Sequence, residues 1–181
     1  KMGQPGVPTF IQWVNDTLPD NGVVGFNGKT MPVSIMKDME KTFRNKKHTL
    51  ISDYDFISLL WKDRPAIPQT PVFIHDVKYA GKQRTEKLAE VRAGMEKLNS
   101  DYYLISALED IAWLLNIRGG DISNTPVVTA YVLVSHTGCQ LFIDRKKVNN
   151  EVLRELSADN IEVLDYGFIE EAVSSLKGSG S

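Results

Sequence analysis

The chain has 181 residues, 42% of them hydrophobic and 24% charged, a balance that suffices for a buried core and excludes a disordered or collagen-like chain. Its 21 Lys and Arg against 23 Asp and Glu leave a net charge of −2, which excludes a broad cationic face for nucleic acid or anionic lipid. The single cysteine, Cys139, excludes an intrachain disulfide and a Cys-rich zinc module and suits a reducing compartment.

In chain order, Thr9 with Gln12 fits a capping box, and Phe10, Trp13, Val14, Thr17 and Leu18 follow the stripe of an amphipathic helix that Pro19 stops. Residues 23–26 read as a strand. Pro32 then opens a helix with Met36, Met39 and Phe43 on one face. Residues 49–51 form a second strand, and Asp55 precedes a short helix marked by Ile57, Leu60 and Trp61. Two strands do not build a stable sheet alone, so residues 1–64 read as the back half of a domain. Pro65, Pro68 and Pro71 cannot continue a helix, which makes residues 65–71 a linker.

Beyond it, residues 72–75 are a predicted strand and 82–98 a helix with Leu88, Val91, Met95 and Leu98 inward. A strand at 102–105 is followed by Ser106 and Glu109, a second capping box, and by a helix burying Leu108, Ile111, Ala112 and Leu115. Strands at 127–134 and 139–143 flank Ser135-His136-Thr137-Gly138, which has the length of a hairpin loop. A helix near 151–156, a strand at 161–164 and a helix at 168–176 complete residues 72–181 as a second domain. Strands alternating with helices, with one hairpin inserted, predict an α/β fold: a mixed sheet covered by helices on both faces.

The usual chemical signatures are scarce. His48, His75 and His136 belong to no i, i+4 pair. His75-Asp76 reads as a strand end, whose neighbouring side chains diverge. His136 and Cys139 span a hairpin with no third group to orient the histidine, so Cys139 reads as a buried structural cysteine. Glu109-Asp110 and Glu170-Glu171 are adjacent on helices and read as solvated faces. Gly28-Lys29-Thr30 lacks the earlier glycine of a P-loop, because Val23 stands there. Arg44 to Lys47 and Arg145-Lys146-Lys147 read as helix ends or solvated turns without aromatics for base stacking. No catalytic residue and no metal ligand is predicted. One connection stands apart: Asn116-Ile117-Arg118-Gly119-Gly120-Asp121 joins an Arg fork, two glycines and short polar side chains. It is either a helix cap held by Arg118 or the rim of a ligand or partner site.

At this loop a family resemblance enters. The run from Ala107 through Trp113-Leu114-Leu115-Asn116-Ile117-Arg118-Gly119 to Ile122, with Asn124-Thr125-Pro126-Val127, resembles the middle domain of the three-domain form of Xaa-Pro aminopeptidase (aminopeptidase P). Gly6-Val7-Pro8-Thr9 with Trp13, Gly22-Val23-Val24-Gly25, residues 57–61, and Asp63-Arg64-Pro65 with Pro68 are similar to its first domain and interdomain link. The resemblance implies creatinase-N-like (RNase H-like) folds: residues 1–64 as the C-terminal half of a first such domain, 65–71 as linker, and 72–181 as the second.

It implies a cytoplasmic metallopeptidase that releases the N-terminal residue from Xaa-Pro peptides. The two metal ions, manganese as a rule, are held in a C-terminal domain beyond these residues, so no cofactor is expected in this chain. The implied role is shaping substrate access and oligomer contacts, with proline-containing peptides and a homodimer as partners and neither nucleic acid nor membrane. The loop with Asn116, Arg118 and Asp121 becomes a candidate active-site rim or domain interface. The alternatives are a catalytically silent interaction module of the same fold and part of a creatinase-like hydrolase. The opening Lys1-Met2 and closing Gly178-Ser179-Gly180-Ser181 read as cut or engineered ends.

Overall fold

The computed structural model describes residues 5–176, so both chain ends noted above lie outside the described residues. Two compact units divide between Ala66 and Ile67.

In the first unit, helix α1 (Phe10–Thr17) begins with the expected box: Gln12 N–H donates to Thr9 Oγ1 at 3.2 Å and Thr9 N–H to Gln12 Oε1 at 2.9 Å. Its buried face differs from the sequence expectation. Ile11 and Asn15 are buried with Val14 beside them, whereas Phe10 and Trp13 are 47% and 59% exposed. Two stripes one residue apart were available on this helix. Packing of Ile11 in one cluster with Met39 and Phe43 of α2 (Val33–Phe43) selects between them. Strands β1 (Val23–Gly25) and β2 (Thr49–Ile51) pair in parallel, and Val24 and Leu50 pack against the same cluster. Asp55 caps α3 (Phe56–Leu60) by accepting from Ser58 N–H at 3.0 Å.

The second unit opens with β3 (Phe73–Ile74), α4 (Val77–Ala80), α5 (Arg84–Lys97), β4 (Tyr102–Ile105), α6 (Leu108–Leu115) and β5 (Ile117–Arg118). It continues with β6 (Ala130–Ser135), β7 (Cys139–Ile143), α7 (Asn150–Ala158), β8 (Ile161–Leu164) and α8 (Ile169–Ser175). The main sheet has the order β4-β6-β7-β8, antiparallel for two pairings and parallel between β7 and β8. A separate antiparallel ribbon joins β3 to β5. The register Ile105, Val132, Leu141, Val163 runs across one sheet face. Leu88 and Met95 of α5, Ile111 and Leu115 of α6 and Leu156 of α7 share its core.

On the opposite face Phe142 is fully buried, and Tyr131 stacks on Tyr166 with centroids 5.3 Å apart. There α8 lies beside Leu133 and Gln140. The mixed sheet with helices on both faces is thus the observed fold. Each fully buried Leu or Phe on these faces contributes about 1.5–3 kcal/mol over its exposed state.

Three local expectations are corrected. The expected helix over 82–98 starts later, at Arg84, and ends at Lys97, with Leu98 77% exposed. Within it Lys87 is buried along with Leu88 and Met95. Ser106 and Glu109 form no capping box, because the N-cap of α6 is Ala107, which has no side-chain oxygen. The central strand starts at Ala130 rather than at 127, since the Asp121 N–H donates to the Val127 carbonyl at 3.2 Å and draws that residue into the preceding loop.

Candidate functional site

Helix α6 stops at Asn116, which adopts the left-handed conformation (φ 51°) that Asn tolerates better than most residues. The Asn116 side chain is buried and satisfied at both ends. Its Nδ2 donates to the Lys82 carbonyl at 2.9 Å, and its Oδ1 accepts from Lys87 Nζ at 2.6 Å. Its carbonyl accepts from His75 N–H at 2.8 Å, continuing the β3–β5 ribbon.

Lys87 is 1% exposed. Besides Asn116 its ammonium donates to the Trp113 carbonyl at 2.7 Å and lies 4.7 Å from the centre of the Trp113 ring. Burial pushes its pKa down, and the neighbouring charges of Arg118 and Lys82 push the same way.

Arg118 sits on β5 with its guanidinium half-buried. Its Nη1 donates to the carbonyls of Ala112 at 2.5 Å and Ile117 at 2.8 Å, so one corner of the fork is fixed to the end of α6. Gly119 follows because nothing larger fits: a Cβ there would lie 2.4 Å from Val128 Cγ1.

Asp121 points the other way, with a fully buried side chain. Its Oδ1 accepts from Thr70 Oγ1 at 2.5 Å, and its Oδ2 accepts from Lys147 Nζ at 2.5 Å and from Thr129 N–H at 2.7 Å. Burial raises this carboxyl, but the bonds from Lys147, Thr129 and Thr70 and the Lys147 charge outweigh it and hold the pKa below its ordinary value. Asp121 is therefore an internal clip joining the segment before β3, the loop before β6 and the turn after β7. Lys147, expected on a solvated turn, is buried as the other half of that clip.

The structure thus brings Asn116 and Arg118 to one place and sends Asp121 to another. Sequence reading missed Lys87, Trp113, Thr70 and Lys147. For the two lysines the pattern held no signal, since a lysine on a helix or turn reads as solvated until its partners are known.

Other candidates are located as follows. Cys139 is buried and its thiol is pushed up to about 12 by burial, against a smaller opposing effect of Arg92. His136 Nε2 stands 3.9 Å from Asp101 Oδ1. Asp76 caps α4, and His75 stacks on Tyr79 at 5.9 Å between centroids. Gly28–Thr30 is a short 3-10 turn capped by Asn27. Among the described residues no group of three or more His, Cys, Asp or Glu side chains is arranged to hold a metal ion. The described residues therefore do not fit a metal centre. Nor is any described helix long and apolar enough to cross a membrane.

Comparison with known proteins sets this geometry in a family. The chain is 35% identical to aminopeptidase P2 of Arabidopsis thaliana over 184 residues, covering 100% of this chain and 26% of that protein. It is 36% identical to a probable Xaa-Pro aminopeptidase P of Neosartorya fischeri over 161 residues, covering 88% of this chain and 25% of the relative. The crystal structure of the X-prolyl aminopeptidase of Caenorhabditis elegans, described as a cytosolic enzyme with a di-nuclear active site, superposes with a TM-score of 0.86 at 26% identity. That match covers 99% of this chain and 30% of that one. The chain thus spans about a quarter of the length of the curated relatives it matches. Residues 63–181 match the creatinase/prolidase N-terminal domain, and the chain belongs to that family.

Proposed function

We propose that this chain is the non-catalytic part of a metal-dependent aminopeptidase that releases the first residue from Xaa-Pro peptides. The observation that carries this reading is the extent of the similarity to the plant, fungal and nematode enzymes, which runs along nearly the whole chain rather than over one motif. Residues 1–64 serve as the C-terminal half of a first creatinase-N-like domain, 65–71 as the link and 72–181 as the second domain. The break between compact units at Ala66 supports this division.

The metal ions, which we assign as manganese, belong to polypeptide outside these residues and supply the nucleophilic water when bound. The cytosolic nematode relative supports a cytoplasmic location. The part described here shapes substrate access and oligomer contacts. Within the 116–121 loop Arg118 is the member that reaches outward, while Asn116 and Asp121 fix the loop from inside.

Two measurements test the reading. The 181-residue chain, incubated with manganese and an Xaa-Pro peptide, is expected to hydrolyse nothing, and robust metal-dependent cleavage would overturn the assignment of the machinery elsewhere. The complete parent protein is expected to cleave the same peptide. A parent without turnover would instead favour the silent interaction module.

A further inference from the structure

Buried charges in folded proteins are paired, and most of those among the described residues are. Arg84 reaches Glu155 at 3.3 Å and Asp159 at 3.4 Å, and Lys147 reaches Asp121. Buried Lys87 breaks the pattern, together with the half-buried Arg118 beside it. Among the described residues neither has a carboxylate within 4.0 Å, and both bond only to neutral oxygen atoms. Two neighbouring cations therefore share one place without a counter-charge.

The free edge of Arg118 shows what would supply it. With Nη1 held by two carbonyls, Nε and Nη2 form no hydrogen bond to the described chain, and neither is enclosed without a partner. That pair of N–H groups is the edge that grips a carboxylate with two parallel bonds. The orientation is already fixed, so little side-chain entropy remains to be lost on binding.

The surroundings of Arg118 are apolar and uncovered. Phe73 stands opposite it in the β3–β5 register, on the same face of the ribbon, and is 53% exposed. Trp113, over the Lys87 ammonium, is 48% exposed. Aromatic side chains around an arginine are the composition of a protein-interface anchor. A small anion would leave both rings in water, and a polyanion would find, besides these two cations, only Lys82, which already pairs with Glu90. A protein segment with one acidic residue between apolar ones satisfies the whole patch.

We propose that Arg118, backed by Lys87 and flanked by Phe73 and Trp113, receives the carboxylate of an Asp or Glu set between apolar residues in a segment of the parent enzyme outside these 181 residues. The identity of that partner rests on the peptidase reading above; the chemistry of the patch does not.

Two experiments test it, neither of which needs turnover. In the first, the Arg118 Nε–Hε and Trp113 indole NMR signals of the 181-residue chain are followed while acetyl-Leu-Glu-Leu-amide, its Gln counterpart or sodium acetate is added. The Glu peptide is expected to bind at least about five-fold more tightly than the Gln peptide or acetate, the effect of one charge-assisted bidentate contact. R118Q and K87M are expected to abolish the preference. R118K keeps the charge without the fork and is expected to fall between, with its thermal unfolding as the check on folding. Equal affinity for the Glu and Gln peptides overturns the proposal, and acetate binding as tightly as the Glu peptide assigns the site to a free anion instead.

In the second, amide hydrogen exchange at residues 112–118 is compared between this chain and the complete parent. Slower exchange in the parent, lost in its R118Q variant, supports the assigned occupant, and identical exchange in the two overturns it. A parent that shows this protection without turnover refutes the peptidase reading and leaves this proposal standing.

Discussion

Asp121→Asn is the most incisive perturbation of the second unit. The substitution keeps the size of the side chain and an oxygen for the Thr129 N–H, and removes the charge that faces Lys147 at 2.5 Å. Lys147 is 1% exposed, and its backbone carbonyl holds Val72 N–H at 2.9 Å. Breaking one side of such a buried pair costs about 3–5 kcal/mol, because a charge is left without compensation. For a unit of roughly 115 residues that is a fall in Tm of about 12–20 °C, at about 4 °C per kcal/mol.

The pH dependence fixes the cause. Asp121 is lowered in the folded state, so its stabilisation is fully present above the unfolded carboxyl pKa of about 3.9 and is lost as pH falls through the lower folded value. The Tm gap between wild type and D121N, read by circular dichroism, is expected to be widest near pH 7 and to close as the pH falls well below about 4. D121N/K147M, which removes both charges, is expected to recover most of the loss. A D121N penalty below about 1 kcal/mol, or a gap that does not change with pH, would refute the buried-pair argument.

Other substitutions separate backbone from side-chain effects. Gly119→Ala places a methyl 2.4 Å from Val128, which is itself fully buried, and should cost about 1–3 kcal/mol in urea unfolding. At Asn116 the left-handed φ and the Lys87 bond are separable. N116G keeps the conformation and loses the acceptor, so it should lie about 1 kcal/mol above N116A, which loses both. Leu88→Ala should cost about 2–5 kcal/mol, whereas Leu98→Ala at an exposed position should stay within about 0.5 kcal/mol. Cys139, buried and with its thiol pushed up to about 12, should react with a thiol reagent near neutral pH only at the rate of unfolding.

The elements of this fold were legible because most of their signals are local. Thr9 and Gln12 announce the start of α1 through a bond across three residues, and the apolar runs at 130–135 and 139–143 pair across one short hairpin loop. What the sequence did not reveal was which of two adjacent stripes α1 buries. Phe10 and Trp13 are the larger apolar residues, yet Ile11 faces Met39 and Phe43. That choice is made by a second helix some twenty-five residues away, and no periodicity within α1 encodes it. Ser106 illustrates the same limit in reverse: the spacing of a capping box was present, but the chain enters α6 one residue later, at Ala107.

The candidate site divides along the same line. The Asn116 to Asp121 loop stands out in the sequence through its composition, but composition cannot tell a residue that reaches outward from one that holds the loop in place. Asp121 and Arg118 differ in this respect because of Lys147 and Lys87, and both lysines read as ordinary solvated positions. Lys147 has a carboxylate, which turns Asp121 into an internal fastening. Lys87 has only a carbonyl, an amide oxygen and an indole face. The second arrangement carries a desolvation cost that its neutral partners offset only in part, and Arg118 adds another positive charge beside it. The fold neutralises Lys147 completely yet leaves Lys87 and the neighbouring Arg118 without a carboxylate among the described residues. The free edge of Arg118 is where a carboxylate from outside this chain would compensate them.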